Sequence, residues 1–174
     1  MIFEKTKYKE EFNKLLAEPG KKKFFIKESI ETFKIRKFMK KGTDSLELVR
    51  YIQESDQNAK DYWAITICYY SMLYLAKAAI LMKGYETDDH YSTQIALGHL
   101  LVPGTIEKED LELLEQAHKI FEDEYIDYFE DARKESSTSR YSATKVYAQR
   151  RVKEVFENAT KFIAKLSVII EDRY

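Results

Sequence analysis

Two prolines and five glycines are the only chain-breaking residues in 174 positions, too few for the many turns of a β-sandwich or barrel. That scarcity, beside abundant Lys, Glu, Leu and Ala, favours helices. A single cysteine, Cys68, excludes an internal disulfide and makes a reducing cytoplasm the default compartment. The opening stretch MIFEKTKYKEEF is broken by charges and no apolar segment follows, so it does not read as a secretory signal. The longest apolar run, Tyr62 to Ala76, stops at Lys77. It is too short and too rich in tyrosine for a bilayer span of about 20 residues, so a core helix is expected and no membrane partner. The chain also has no Gly-rich phosphate loop and no Gly-x-Ser-x-Gly elbow.

Hydrophobic residues make up 44% of the chain and charged ones 34%, a globular balance rather than a disordered one. A chain of this length buries roughly two-thirds of its unfolded surface, enough for one domain with a real core. Net charge is -1, but it is unevenly spread. Lys5 to Lys41 holds 13 Lys/Arg against five Glu, and Glu107 to Asp131 holds 11 acids against Lys108 and Lys119. Arg133 to Lys153 then carries seven bases against Glu135. Such blocks are either solvated helix faces or a basic surface for phosphates beside an acidic surface for a partner.

The pattern predicts an all-α, up-and-down bundle of four to five long helices, with residues 1–20 as a short extension of a single domain 1–174. Phe3 to Ala17 is amphipathic and ends at Glu18-Pro19-Gly20. A helix is expected from about Phe24 to Lys40, with Ile26, Ile30, Phe33 and Lys37 in register and Gly42 closing it. Asp44-Ser45-Leu46-Glu47 reads as an N-cap starting a new helix with Leu46, Val49 and Ile52. A long helix, about Asn58 to Lys83, is apolar nearly all round, so it must be surrounded by the bundle or by a second subunit. Gly84 is its expected C′ residue. His90 to Leu101, Thr105 to about Ala132, and Ala143 to Glu171 complete the set, and no β alternation is evident. The last helix aligns Val152, Val155, Phe156, Ala159, Phe162, Ile163, Leu166 and Ile170 on one face.

Two segments carry a family resemblance. Asp61-Tyr62-Trp63-Ala64, then Tyr69-Tyr70-Ser71-Met72 through Ala76-Lys77-Ala78-Ala79-Ile80-Leu81, is followed by Lys83-Gly84-Tyr85 and His90. Further on, Ala132-Arg133 and Ser139-Arg140-Tyr141-Ser142 lead into a helix containing Ala159-Thr160-Lys161-Phe162-Ile163. In order and spacing these resemble the central helix and closing motif of HEPN (higher eukaryotes and prokaryotes nucleotide-binding) domains, over roughly residues 25 to 170. The resemblance implies a helical bundle, commonly dimeric, with a polar cleft. Some members are metal-independent ribonucleases with an Arg, four to six residues, then a His. Others bind nucleotides or pair with a nucleotidyltransferase, as in toxin–antitoxin systems.

The sequence departs from the cutting motif. After Arg133 the histidine positions hold Thr138, Ser139 and Arg140; after Arg140 they hold Lys145, Val146 and Tyr147. His90, His99 and His118 are all out of that register. Attack by a 2′-hydroxyl wants an acid or base with a pKa near 7, which Thr, Ser and Arg do not supply. No catalytic residue is therefore assigned.

The candidate ligand-binding residues are Arg133, Arg140, Tyr141, Tyr70, Lys77 and His90. Arg133 and Arg140 flank a Ser/Thr loop that can hold a phosphate or simply pair with the acidic helix before it. Tyr141 is a cleft residue or a packing residue at a helix start. Tyr70, with Tyr69 and Tyr74, can stack a base or pack in the core. Lys77, the only charge between Tyr62 and Met82, snorkels outward or faces a cleft. Asp88-Asp89-His90 has metal-ligand chemistry, but three consecutive residues cannot all face one ion, so an N-cap followed by a helix-opening His is the expected account and no metal or cofactor is assigned. Cys68 has no basic neighbour and is expected in the core.

The expected function is a non-catalytic nucleotide- or RNA-associated protein, homodimeric and acting with a nucleotidyltransferase partner. The alternatives are a ribonuclease with a substituted site, using Arg133 or Arg140 with Tyr141, and a purely structural helical interaction module.

Overall fold

A computed structural model describes residues 4–16, 26–29, 31–54, 60–133 and 141–172; the side chains of 60–62, 124–133 and 141–148 lie outside that description. Among the described residues, six helices and one short antiparallel pair of strands follow in the order α1 (Lys5–Leu15), β1 (Ile26–Glu28), α2 (Phe33–Glu54), α3 (Lys60–Leu81), β2 (Tyr85–Thr87), α4 (His90–Leu100), α5 (Lys108–Arg133) and α6 (Tyr141–Glu171). Four of the helices are long, as the pattern predicts, and the fold is an all-α bundle.

The centre of the bundle is α3, which packs against α2, α4, α5 and α6 of its own chain. Cys68, Met72, Leu75, Ala76, Ala78, Ala79 and Ile80 are all fully buried, and Leu97, Leu111, Phe162 and Leu166 close around them. Each large side chain removed from water in this way contributes about 1.5–3 kcal/mol. The stretch Trp63–Leu81 has the length and composition to cross a bilayer, but 72% of it is buried within the chain. Burial pushes the Cys68 thiol up to about 12, as expected for a core cysteine.

The inward face of α3 is set by the helices around it. Trp63 and Tyr70, which keep helical spacing with Ile67, Tyr74, Ala78 and Leu81, are on the exposed side, while Ile65, Cys68, Met72 and Leu75 point inward. A helix apolar on all sides has no periodicity to mark its buried face, so its neighbours decide it. In α6 one face is apolar, and the expected Val152, Val155, Ala159, Phe162, Ile163, Leu166 and Ile170 are all buried, with Phe156 half-buried beside them.

Two boundaries are corrected. The helix expected from about Phe24, itself outside the described residues, does not include Ile26–Glu28, which form β1 and pair antiparallel with β2, Ile26 opposite Thr87 and Glu28 opposite Tyr85, in a two-stranded sheet. Glu86 anchors this pair through ion pairs to Lys27 at 3.5 Å and Lys34 at 2.9 Å. Nor does Gly42 end a helix, because α2 runs unbroken from Phe33 to Glu54. The expected cap, Asp44, pairs with Lys40 at 2.6 Å along the helix instead, and its neighbours turn their hydroxyls back onto the backbone: Thr43 donates to the Met39 carbonyl at 3.1 Å and Ser45 to the Lys41 carbonyl at 2.6 Å. Gly84 does take the left-handed backbone expected just past α3, with φ +83°.

The first helix lies antiparallel along α4. Lys5 donates to the carbonyls of Gly98 (3.1 Å), His99 and Val102 at the C-terminal end of α4, where a cation is favoured. Phe12 sits 4.7 Å from the His99 ring, and Tyr91 reaches Glu11 at 3.4 Å. In the same way α5 and α6 are antiparallel, with Asp110 by Lys165, Gln116 by Asn158, and Asp123 by Arg151 at 3.8 Å. Acidic α5 thus faces basic α6, and part of the charge asymmetry is spent inside the molecule.

Candidate functional site

The outer face of α3 carries a connected strip of aromatic rings. Tyr70, 41% exposed, lies 5.3 Å from Tyr69, 6.5 Å from Tyr74 and 5.8 Å, edge-on, from Phe121 of α5. Tyr74 in turn stacks with Phe38 of α2 at 6.0 Å, and the Lys41 ammonium sits 4.2 Å over its ring. These helices cross so that rings from three of them share one partly exposed surface. Tyr69 is a core residue, stacked on Phe121 at 4.9 Å, and burial raises its phenol pKa. Of the three tyrosines, Tyr70 is the exposed one, Tyr74 being half-buried and Tyr69 buried.

Lys77 is half-buried, and its ammonium donates to the backbone carbonyl of Asp88 at 3.1 Å. Its stem crosses the apolar layer and its charge emerges beside the start of α4, the snorkelling arrangement. Burial lowers its pKa, opposed by Asp88, Asp89 and Glu86.

The start of α4 is capped as expected. The Asp89 carboxylate accepts the Ser92 N–H at 2.8 Å, and the Ser92 hydroxyl accepts the Asp89 N–H at 3.1 Å. The cap presents His90 as the first helical residue, and its ring stacks on His118 of α5, 3.9 Å between centroids and 25° from parallel. One turn along α5, Glu122 Oε1 lies 3.5 Å from His118 Nε2. The ligand atoms of His90, His118 and Glu122 all fall within 4.8 Å of one another. Burial, then the neighbouring His90, lowers the pKa of His118 against the pull of Glu122, so its imidazole is neutral near pH 7. The expectation that no cluster beyond Asp88-Asp89-His90 has ligand spacing is thereby corrected; the local signal for this one is the His118–Glu122 spacing of four, which puts both on one helix face.

The remaining sequence candidates are Arg133, Arg140 and Tyr141, at and after the C-terminal end of α5 in chain order. Arg133 is its last residue and Tyr141 the first of α6, both with side chains outside the described residues, and Arg140 lies outside them entirely. At 1.5 Å per residue, Arg133 is about 18 Å along the helix from Phe121. The structure therefore brings Tyr70 to Phe121 and sets Lys77 and His90 at the start of α4, with Arg133, at the C-terminal end of α5, well removed from Phe121.

No curated protein and no solved structure matches the chain significantly. The family model for the HEPN domain matches residues 35–169, from the first turn of α2 to the end of α6. That is well over half of the sequence, and the chain belongs to the HEPN domain family.

Proposed function

We propose that this HEPN protein binds RNA without cutting it, as a cytoplasmic homodimer that acts with a separate nucleotidyltransferase. The observation that carries the RNA reading is the exposed Tyr70 ring, flanked by Phe121 and Tyr74, with Lys41 over the neighbouring ring. Aromatic faces stack bases of any sequence, and adjacent cations meet the backbone. The roughly 18 Å between Phe121, midway along α5, and Arg133 at its end favours an extended oligonucleotide over a mononucleotide if both residues touch the ligand. Family membership supports the nucleotide or RNA association in general. Exposed apolar side chains on α2 and α3, Tyr51 and Trp63 among them, offer a surface for a second copy or a partner.

The non-cutting reading rests on the sequence, which has no His in the family's register after Arg133 or Arg140. One observation favours a substituted ribonuclease instead: the fold places two imidazoles and a carboxylate together at His90, His118 and Glu122, groups that can pass protons. Incubating the protein with labelled single-stranded and transfer RNA, with and without chelator, separates the two. Binding without products is the expected outcome; products lost in Arg133→Ala or His118→Ala would establish the ribonuclease.

A further inference from the structure

The three groups at the α4–α5 junction have the chemistry and the geometry of a metal-ion chelate. His118 and Glu122 are one helical turn apart, with Nε2 and Oε1 at 3.5 Å. A tetrahedral ion with bonds of about 2.0–2.2 Å holds its ligand atoms roughly 3.3–3.5 Å apart. That edge of the coordination polyhedron is thus already in place. The third group, His90, comes from a different element and is held there by the Asp89–Ser92 capping box. It brings a ring nitrogen to within 4.8 Å of the other two ligand atoms.

The remaining gap is small and is on the side that can move. His90 is exposed and at the first position of α4, so a rotation of its side chain opens the stack and draws its nitrogen inward. Glu122 keeps 57% of its side chain in solvent and His118 keeps 21%, so an ion has a path in. Behind them Tyr69, itself stacked on Phe121, lies 5.2 Å from the His118 ring and limits its swing. Two imidazoles and one carboxylate are a donor set for zinc and its neighbours, not for magnesium or calcium, which take oxygen ligands.

We propose that His90, His118 and Glu122 form a binding site for a divalent transition-metal ion, with zinc the first expectation. The ion ties the start of α4 to the middle of α5, and with three protein ligands it retains an open position for water or an anionic oxygen. The site stands apart from the RNA reading, since it requires no nucleic acid.

The test is titration of the chelator-treated full chain with zinc by calorimetry, and with cobalt by visible absorption, at pH 7.5. One ion per chain is expected, with a cobalt spectrum of four-coordinate type and a raised melting temperature on zinc addition. His90→Ala and Glu122→Gln, both at exposed positions, should each weaken binding at least about tenfold, a loss that even outer-shell changes produce. His99→Gln, distant from the cluster, should leave it unchanged. No stoichiometric binding, or binding that survives both His90→Ala and Glu122→Gln, would overturn the proposal. His118→Ala adds to the case if it folds, and the two exposed variants decide it if it does not.

Discussion

Gly42 of α2 rests directly against Leu75 of α3. A Cβ at this position would run into Leu75 Cδ2 and stand 2.8 Å from the Ser71 carbonyl oxygen. The glycine is thus a contact point between the two helices, where the absence of a side chain lets the backbones approach. Gly42→Ala should lower stability although alanine is the better helix former. The helix gain is about 1 kcal/mol, whereas overpacking costs about 1–3 kcal/mol, and the Ser71 oxygen is backbone and cannot rotate away. Urea unfolding followed by circular dichroism should give a lower midpoint at an unchanged slope. A midpoint at or above that of the natural chain would show that α2 and α3 separate without cost.

Stability should fall on mild acidification. Burial lowers the pKa of His99, helped by Lys5 and Lys9, and lowers that of His118, helped by His90. In the unfolded chain both take up a proton near the usual 6.5, and in the folded chain only at lower pH. Their contribution is therefore complete above pH 6.5 and declines as pH falls from there through the lowered folded values. Melting curves at pH 7.5 and 5.5 should show the drop, and His99→Gln with His118→Gln should flatten it. A melting temperature that holds steady across this window would contradict the expected linkage.

Binding of a short single-stranded RNA should depend on two separable kinds of contact. Tyr70→Ala should cost about 1–3 kcal/mol, the range for one stacked base, and leave the salt slope alone. Arg133→Ala or Arg140→Ala should cost about 1.5–3 kcal/mol and make the slope shallower, since fewer counterions are released. Fluorescence anisotropy over a salt series reads both. If affinity and slope survive the double arginine change, the phosphate contacts are elsewhere, and the basic stretch from Lys21 to Lys41 would be tested next.

Light scattering at micromolar concentration should return a dimer mass. Leu48 and Tyr51, 49% and 66% exposed, share a face of α2, and Tyr51→Lys should shift the population toward monomer. A mass near 20.6 kDa at every concentration would remove the dimer from the account.

The sequence alone determined the helical class, the buried face of α6, the Asp89 cap and the left-handed turn at Gly84, because each rests on local spacing or on one residue's backbone preference. It misread Gly42 for the same reason. A glycine ends a helix when its backbone is solvated and joins two helices when a neighbour presses on it, and the neighbour is not in the local window. The β1–β2 pair was hidden because Ile26–Glu28 and Tyr85–Thr87 are each too short to show alternation, and only their pairing makes them strands. In α3, apolar on every side, the surrounding helices decided that Met72 is inside and Tyr70 outside. The His90–His118–Glu122 cluster is the clearest case: Glu122 and His118 are one turn apart in sequence, but His90 joins them from 28 positions upstream of His118, through the packing of α4 on α5. Chemistry assembled across elements depends on distances that only the folded chain defines.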